Sequence, residues 1–383
     1  MSIVGRKLEE SDIVPRVESV LELQGLRVFP KIHVYALRNH YVAERRQNLN
    51  DILRAHWNDL APEEREKTYG ARARCFEEVD SPGDADVHLL TMKWNDYVDF
   101  KRIDVAWQAY DEALRWKKPF VVFSGGDSTA NLPFPKAILF EPSSYRTRRN
   151  QRGVLRHAMP AFVDDYLARY CEGKLQTKSK GRTPRVGFCG QTAVSGMRSA
   201  GRTMVHAAHY AAYSLGLLRW EPTPYDTARL RQRVLRLLEK SPAVACDFIQ
   251  RARYRAGEES AGRDPFHPTR MEFIQNILRN DYTVCARGGG NFSQRFYEVL
   301  SLGRIPVFVD TDCLLPFDQQ VNYRDYCVWV EQSEIDRIGE KVADFHGTLP
   351  EKRFTELQHE CRELWGGYLS MNGFYSHFRS LIQ

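Results

Sequence analysis

The chain is expected to be an α/β protein built from two parallel-sheet domains, and three observations predict it. Short apolar runs alternate with amphipathic stretches at helical spacing, the order that builds open parallel sheets. At 383 residues with 43% hydrophobic content, the chain has enough material for two domains and a sizeable core. Residues 174–183, KLQTKSKGRT, are polar, basic and glycine-containing, with little to bury, and mark a junction. The expected division is residues 1–173, residues 174–350, and a closing helical segment at 351–383.

In chain order, residues 1–27 are mixed and form an extension, and 31–37 (KIHVYAL) read as the first strand. Residues 49–59 have helical character, and 62–78 read as a charged surface helix or loop. A buried strand at 85–91 precedes helical spacing over 104–116, carried by Val105, Ala109, Ala113, Leu114 and Trp116. The strand at 120–123 runs into Ser124-Gly125-Gly126-Asp127-Ser128-Thr129. Residues 145–157 hold five arginines and read either as a solvated loop or as a site for an anionic acceptor or lipid headgroup.

The second domain opens with a strand at 185–189, followed by Gly190 and a small-residue loop to Arg198 and Arg202. His206 and His209 have a metal-binding spacing, but no third ligand falls near them, so no metal site is assigned. An amphipathic surface helix over 226–238 carries Arg229, Arg231, Arg233 and Arg236. Arg251, Arg253 and Arg255 add positive charge before a loop at 257–268, and 271–278 are helical. Further on come a strand at 326–330, a helix at 334–345 and a long aromatic-rich helical region at 354–381.

The most informative stretch is residues 281–317. A strand at 282–286, a glycine-rich turn at 287–291, a helix at 292–302 and a buried strand at 305–309 make a β-loop-α-β unit. Gly288, Gly289 and Gly290 leave no Cβ in the way, so a ligand can approach the backbone where the helix begins. Asn291 with Gln294 has capping-box spacing, and Ser293 is an equal candidate for the cap. Either way the helix dipole favours a phosphate at this end. Arg295 and Glu298, three apart, suit a nucleoside diphosphate: a guanidinium for pyrophosphate oxygens and a carboxylate for ribose hydroxyls. The plainer alternative is a solvated ion pair.

Composition limits the function classes. A net charge of +6 spread over many arginines is mild for a nucleic-acid binder and adequate for handling phosphates or anionic glycans. Eight scattered cysteines without a CxxC pair indicate neither a disulfide framework nor a zinc knuckle and fit a reducing cytoplasm. The first sixteen residues lack the apolar core of a signal peptide, and no segment approaches the roughly 18 apolar residues that span a bilayer. A cytoplasmic protein, or one peripheral at the inner face of a membrane, is expected.

The ordered series Cys285, Arg287, Gly288, Ser293, Arg295, Phe296, Glu298, Gly303, Ile305, Pro306, Val307, Leu315, Pro316 and Phe317 resembles the C-terminal signature of the exostosin-type glycosyltransferases. The resemblance is strong over residues 270–370, weaker over 185–205 and faint in the N-terminal half. It implies a GT-B architecture of two Rossmann-like domains facing across a cleft, with a C-terminal helix crossing back. It also implies an inverting enzyme that takes a nucleoside diphosphate sugar, above all a UDP-sugar, without a bound metal or cofactor. The acceptor would be a glycan or glycolipid hydroxyl.

In that reading Arg287, Gly288, Gly289, Gly290, Ser293, Arg295 and Glu298 bind the donor, and Arg198 or Arg202 adds a second cation. Asp127 is the candidate base, although Gly126 stands where the family has histidine; the alternative is an Asx turn. Asp310-Thr311-Asp312 resembles the DxD metal motif of another glycosyltransferase class but reads as a turn. A dinucleotide-dependent oxidoreductase is disfavoured because no GxGxxG turn follows the first strand. The second rival is a non-enzymatic binder of anionic glycans or nucleic acid that uses the arginine clusters.

Overall fold

The computed structural model describes residues 30–382 except residue 128 and segments 193–196, 216, 218–226 and 253–263. Eleven strands among them form two sheets, β1 (Ile32–Tyr35), β2 (Phe76–Glu78), β3 (Val87–Leu89), β4 (Phe120–Phe123), β5 (Ile138–Glu141) and β6 (Leu155–Ala158) in the first. The second holds β7 (Arg185–Gln191), β8 (Ala245–Arg251), β9 (Tyr282–Cys285), β10 (Ile305–Asp310) and β11 (Val328–Glu331). The orders are β2-β1-β3-β4-β5-β6 and β11-β10-β9-β7-β8, with every pairing parallel.

Parallel strands covered by helices on both faces read as apolar runs rather than alternations. FVVF of β4, YTVC of β9 and IPVFVD of β10 are buried at every position. The order of the second sheet reverses at β7, since β8 lies on one side of it and β9 on the other. A ligand crevice is expected beyond the carboxyl ends of strands at such a switch point.

Several expectations need correction. Residues 62–78 hold two helices, Pro62–Tyr69 and Ala71–Arg74, followed by strand β2. The end of the arginine-rich run is strand β6, where Arg156 pairs with Glu141 of β5 at 2.6 Å in full burial. Residues 245–251, read only for their charge, form edge strand β8. The C-terminal region is broken into helices Glu351–Leu364 and Met371–Ser376 around a π-turn at Trp365–Leu369.

Of the other arginines of 145–157, Arg146 and Arg149 bind across the domains, whereas Arg152 donates to Asn131 within the first domain. Arg146 pairs with Asp310 at 2.8 Å, Arg149 with Asp318, and the Thr147 hydroxyl donates to Asp312. Asn291 reinforces the seam: its backbone amide donates to Ser143 Oγ at 2.9 Å and its side-chain amide to the Ser144 carbonyl at 3.0 Å. The aromatic end of the chain lies against the first sheet. Phe378 stacks on Phe140 at 4.7 Å and meets Phe76 edge-on at 5.4 Å. Arg379 donates to the carbonyls of Pro30 and Lys31.

Candidate active site

A cavity of about 440 Å³ opens beyond the carboxyl ends of β7, β8 and β9, at the switch point of the second sheet. Gly288, Gly289, Ser293, Arg295 and Glu298 line it from the second domain, and Asp127 lines it from the first. The structure thus brings together residues 160 and more positions apart in the sequence. Arg287 and Gly290 lie outside this lining. Arg287 is buried, donating to the Gly290 carbonyl at 3.2 Å and reaching the Tyr145 hydroxyl at 3.4 Å, so it clips the glycine loop and abuts the first domain. Arg198 and Arg202 belong to helix Met197–Ser214, but their side chains are outside the described residues.

Helix Gln294–Ser301 carries the central pair. Ser293 is its N-cap without a side-chain bond, which corrects the Asn291–Gln294 capping box: the Asn291 side chain turns to the first domain instead. Phe296, Val299 and Leu300 are completely buried, which fixes the helix and hence the directions of Arg295 and Glu298. The Arg295 guanidinium lies over the Phe188 ring at 4.3 Å and near Phe273 at 5.6 Å. One nitrogen donates to the Cys189 carbonyl at 2.7 Å, while Nε is buried without a partner. A cation braced on two rings loses little further freedom on meeting an anion. Gly190 makes this packing feasible, since a Cβ there would stand 2.5 Å from the Arg295 guanidinium.

Glu298 is nearly buried, at 6% exposed, and is no solvated ion-pair partner of Arg295. Burial pushes its carboxyl above the usual carboxylate range, countered by Arg295, the Tyr166 hydroxyl, Arg270 and Gln294. On the other wall, the loop bearing Asp127 is held by Asn95, which accepts from the Gly125 amide at 2.7 Å and donates to its carbonyl at 2.9 Å.

Sequence reading missed much of the cationic wall. Arg231, donating to the Gln191 carbonyl at 2.8 Å, and Arg251, at the end of β8, both line the cavity with Arg270 and Phe273. Only the place of Arg251 directly after a strand beside Gly190 could have signalled it. His206 and His209 form no cluster, and among the described residues no group of three or more histidine, cysteine or acidic side chains could hold a metal ion. Asp310 and Asp312 are engaged with Arg146 and Thr147 at the seam.

Two Rossmann-like parallel sheets facing a shared cleft, with a glycine loop and braced arginine on one side, define the GT-B class of fold. Residues 188–344 match the family model of the Exostosin GT47 domain. Exostosin-1 of Drosophila melanogaster is 27% identical over 95 residues, which make up 24% of this chain and 12% of that protein. The chain therefore matches only a small part of that relative's length.

Among solved structures, a glycosyltransferase from Rickettsia africae ESF-5 aligns with 92% of this chain and 98% of its own, at TM-score 0.38 and 9% identity. The pneumococcal O-GlcNAc transferase GtfA, solved with UDP and GlcNAc, aligns with 77% of this chain and 56% of its own, at TM-score 0.29 and 9% identity. No described helix is long and apolar enough to cross a membrane; residues 1–29, on which the expectation of no signal peptide rested, are outside the described residues.

Proposed function

We propose that this protein is an inverting glycosyltransferase that moves a sugar from a UDP-sugar to a hydroxyl of a glycan or glycolipid acceptor. The observation that carries this reading is one cavity holding Gly288, Gly289, Arg295 and Glu298 from one domain and the Asp127 carboxylate from the other. The second domain holds the donor: the glycine loop and Arg295 take the diphosphate, and Glu298 takes ribose hydroxyls.

In a single displacement the acceptor oxygen attacks the anomeric carbon while Asp127 accepts its proton, and the bond from that carbon to the diphosphate oxygen breaks. The electron pair leaves on UDP, whose added charge falls beside Arg295. In this reading the reaction needs no metal, which is supported by the engagement of Asp310 with Arg146 and of Asp312 with Thr147 at the domain seam.

The test is calorimetry of UDP binding with and without EDTA, followed by assay of UDP release from a panel of UDP-sugars and NMR of the product's anomeric configuration. Binding that survives chelation, sugar-dependent turnover and an inverted anomer are expected. Absence of nucleoside diphosphate binding would overturn the reading.

A further inference from the structure

We infer that Tyr166 and Arg270 are positioning residues of the donor site, which hold one oxygen of Glu298 so that the other is presented to the ligand. This rests on the donor-site reading above and adds to it two residues that no part of that reading requires. Tyr166, 5% exposed, begins helix Tyr166–Tyr170 at the end of the first domain, 132 positions from Glu298. Its hydroxyl lies 2.9 Å from Glu298 Oε1 and 2.9 Å from Arg270 Nη1.

The direction of these bonds is fixed by chemistry. A guanidinium has donors only, so Arg270 donates to the phenol oxygen, and the single phenolic proton is left for the carboxylate. The chain therefore runs from Arg270 to Tyr166 to Glu298, and each bond polarises the next. Gln294 adds a donor to the same oxygen at 3.3 Å, and Arg270 itself stands 3.8 Å from it. Oε2 takes no hydrogen bond from any described residue, and Glu298 lines the cavity. One oxygen is thus saturated by the protein and the other is available to a sugar hydroxyl.

The prop is itself held from behind. Arg362 grips both carboxylate oxygens of Asp165, the N-cap of the Tyr166 helix, at 2.9 and 2.7 Å, and donates to the Ser301 carbonyl at 2.7 Å. Ser301 ends the helix that bears Glu298. Tyr166 and Glu298 are therefore referenced to one guanidinium, although they belong to different domains.

Removing the phenol oxygen leaves a desolvated carboxylate with fewer donors, which favours its protonated form. The groups facing Glu298 are the Arg295 and Arg270 guanidiniums, the Tyr166 phenol, the Gln294 amide and the Cys285 thiol. Of these, only the phenol is lost in Tyr166→Phe, which keeps the ring.

The experiment is UDP binding by calorimetry from pH 5 to 9 for wild type, Tyr166→Phe and Glu298→Gln, with melting temperatures in parallel. Tyr166→Phe is expected to weaken UDP binding roughly tenfold or more. It should also move the acid limit of binding to higher pH and raise KM for donor more than it lowers kcat. Glu298→Gln is expected to bind weakly with no such acid limit.

Wild-type affinity and pH profile in Tyr166→Phe, with binding lost in Glu298→Gln, would overturn the inference and leave the donor site standing. Weakened binding in Tyr166→Phe with Glu298→Gln unaffected would also overturn it, making Tyr166 a direct ligand contact. Failure of wild type to bind UDP would overturn the donor-site reading and this inference with it. Should Tyr166→Phe not fold, Arg270→Gln interrupts the same chain at its start, and the same shift of the acid limit decides.

Discussion

The Asp127 carboxylate stands against the Gly289 backbone, with Oδ2 2.4 Å from the point a Cβ would occupy. The carboxylate of the first domain and the glycine loop of the second are therefore in direct apposition, and only glycine permits it. Gly289→Ala must push Asp127 aside, whereas Gly288, with nothing within 4 Å of its Cβ position, gains a methyl group without a clash. Gly289→Ala is expected to stay folded and lose turnover, and Asp127→Asn to bind UDP normally while transferring sugar about 10² to 10⁴ times more slowly. Steady-state kinetics beside UDP calorimetry checks both; near-normal turnover in Asp127→Asn would move the base elsewhere.

Arg295→Ala removes the cation braced on Phe188 and Phe273. The loss of a charge-assisted contact of about 1.5–3 kcal/mol predicts at least tenfold weaker UDP binding. Its melting temperature should fall only modestly. Unchanged UDP affinity would show that Arg295 serves packing alone.

Asp310 is 1% exposed and bonds both Arg146 across the seam and the Cys313 amide at 2.9 Å. Asp310→Asn keeps the shape but removes the charge opposite Arg146, so a stability loss on the order of 1–3 kcal/mol is expected. UDP affinity, with or without EDTA, should not change. Chemical denaturation and calorimetry separate this outcome from a metal-ligand role, in which chelation would weaken the wild type.

His157, stacked on Phe140 at 5.2 Å, is pushed down to about 4 by burial first and by neighbouring Arg149 second. A buried neutral histidine binds its proton more readily once unfolded, at an ordinary value near 6.5. Unfolding therefore takes up a proton between those values, and stability must fall as pH drops from about 6.5 towards 4, by up to about 3 kcal/mol. His157→Phe, which cannot titrate, should flatten that limb in denaturation curves at pH 4.5 and 7. An identical slope in both proteins would show that other groups set it.

Where local pattern and tertiary role coincide, the sequence was legible. The strand at 282–285, the glycine loop and the buried strand at 305–310 announce themselves because both faces of the sheet are covered. β5 and β6 were hidden because Glu141 and Arg156 look like surface residues singly and become a buried pair only when the strands lie side by side. β8 was hidden because an edge strand exposes half its side chains, so ACDFIQR lacks a clear apolar run. Of the site, Arg295 and Glu298 were visible from helix periodicity. Tyr166, Arg270 and Phe188 were not, since their parts depend on contacts across 132, 28 and 107 positions.

The packing of Phe374 and Phe378 on Phe140 bears on the order in which this molecule can be made. All six strands of the first sheet leave the ribosome before residue 160, yet the aromatic layer that covers Phe76, Phe123 and Phe140 arrives only with residues 374–378. At roughly 5–20 residues per second, that apolar face waits on the order of ten seconds or more while the second domain is synthesised. The core of the first domain is completed only once residues 374–378 have been made, and until they dock the apolar face is a surface that a chaperone can cover.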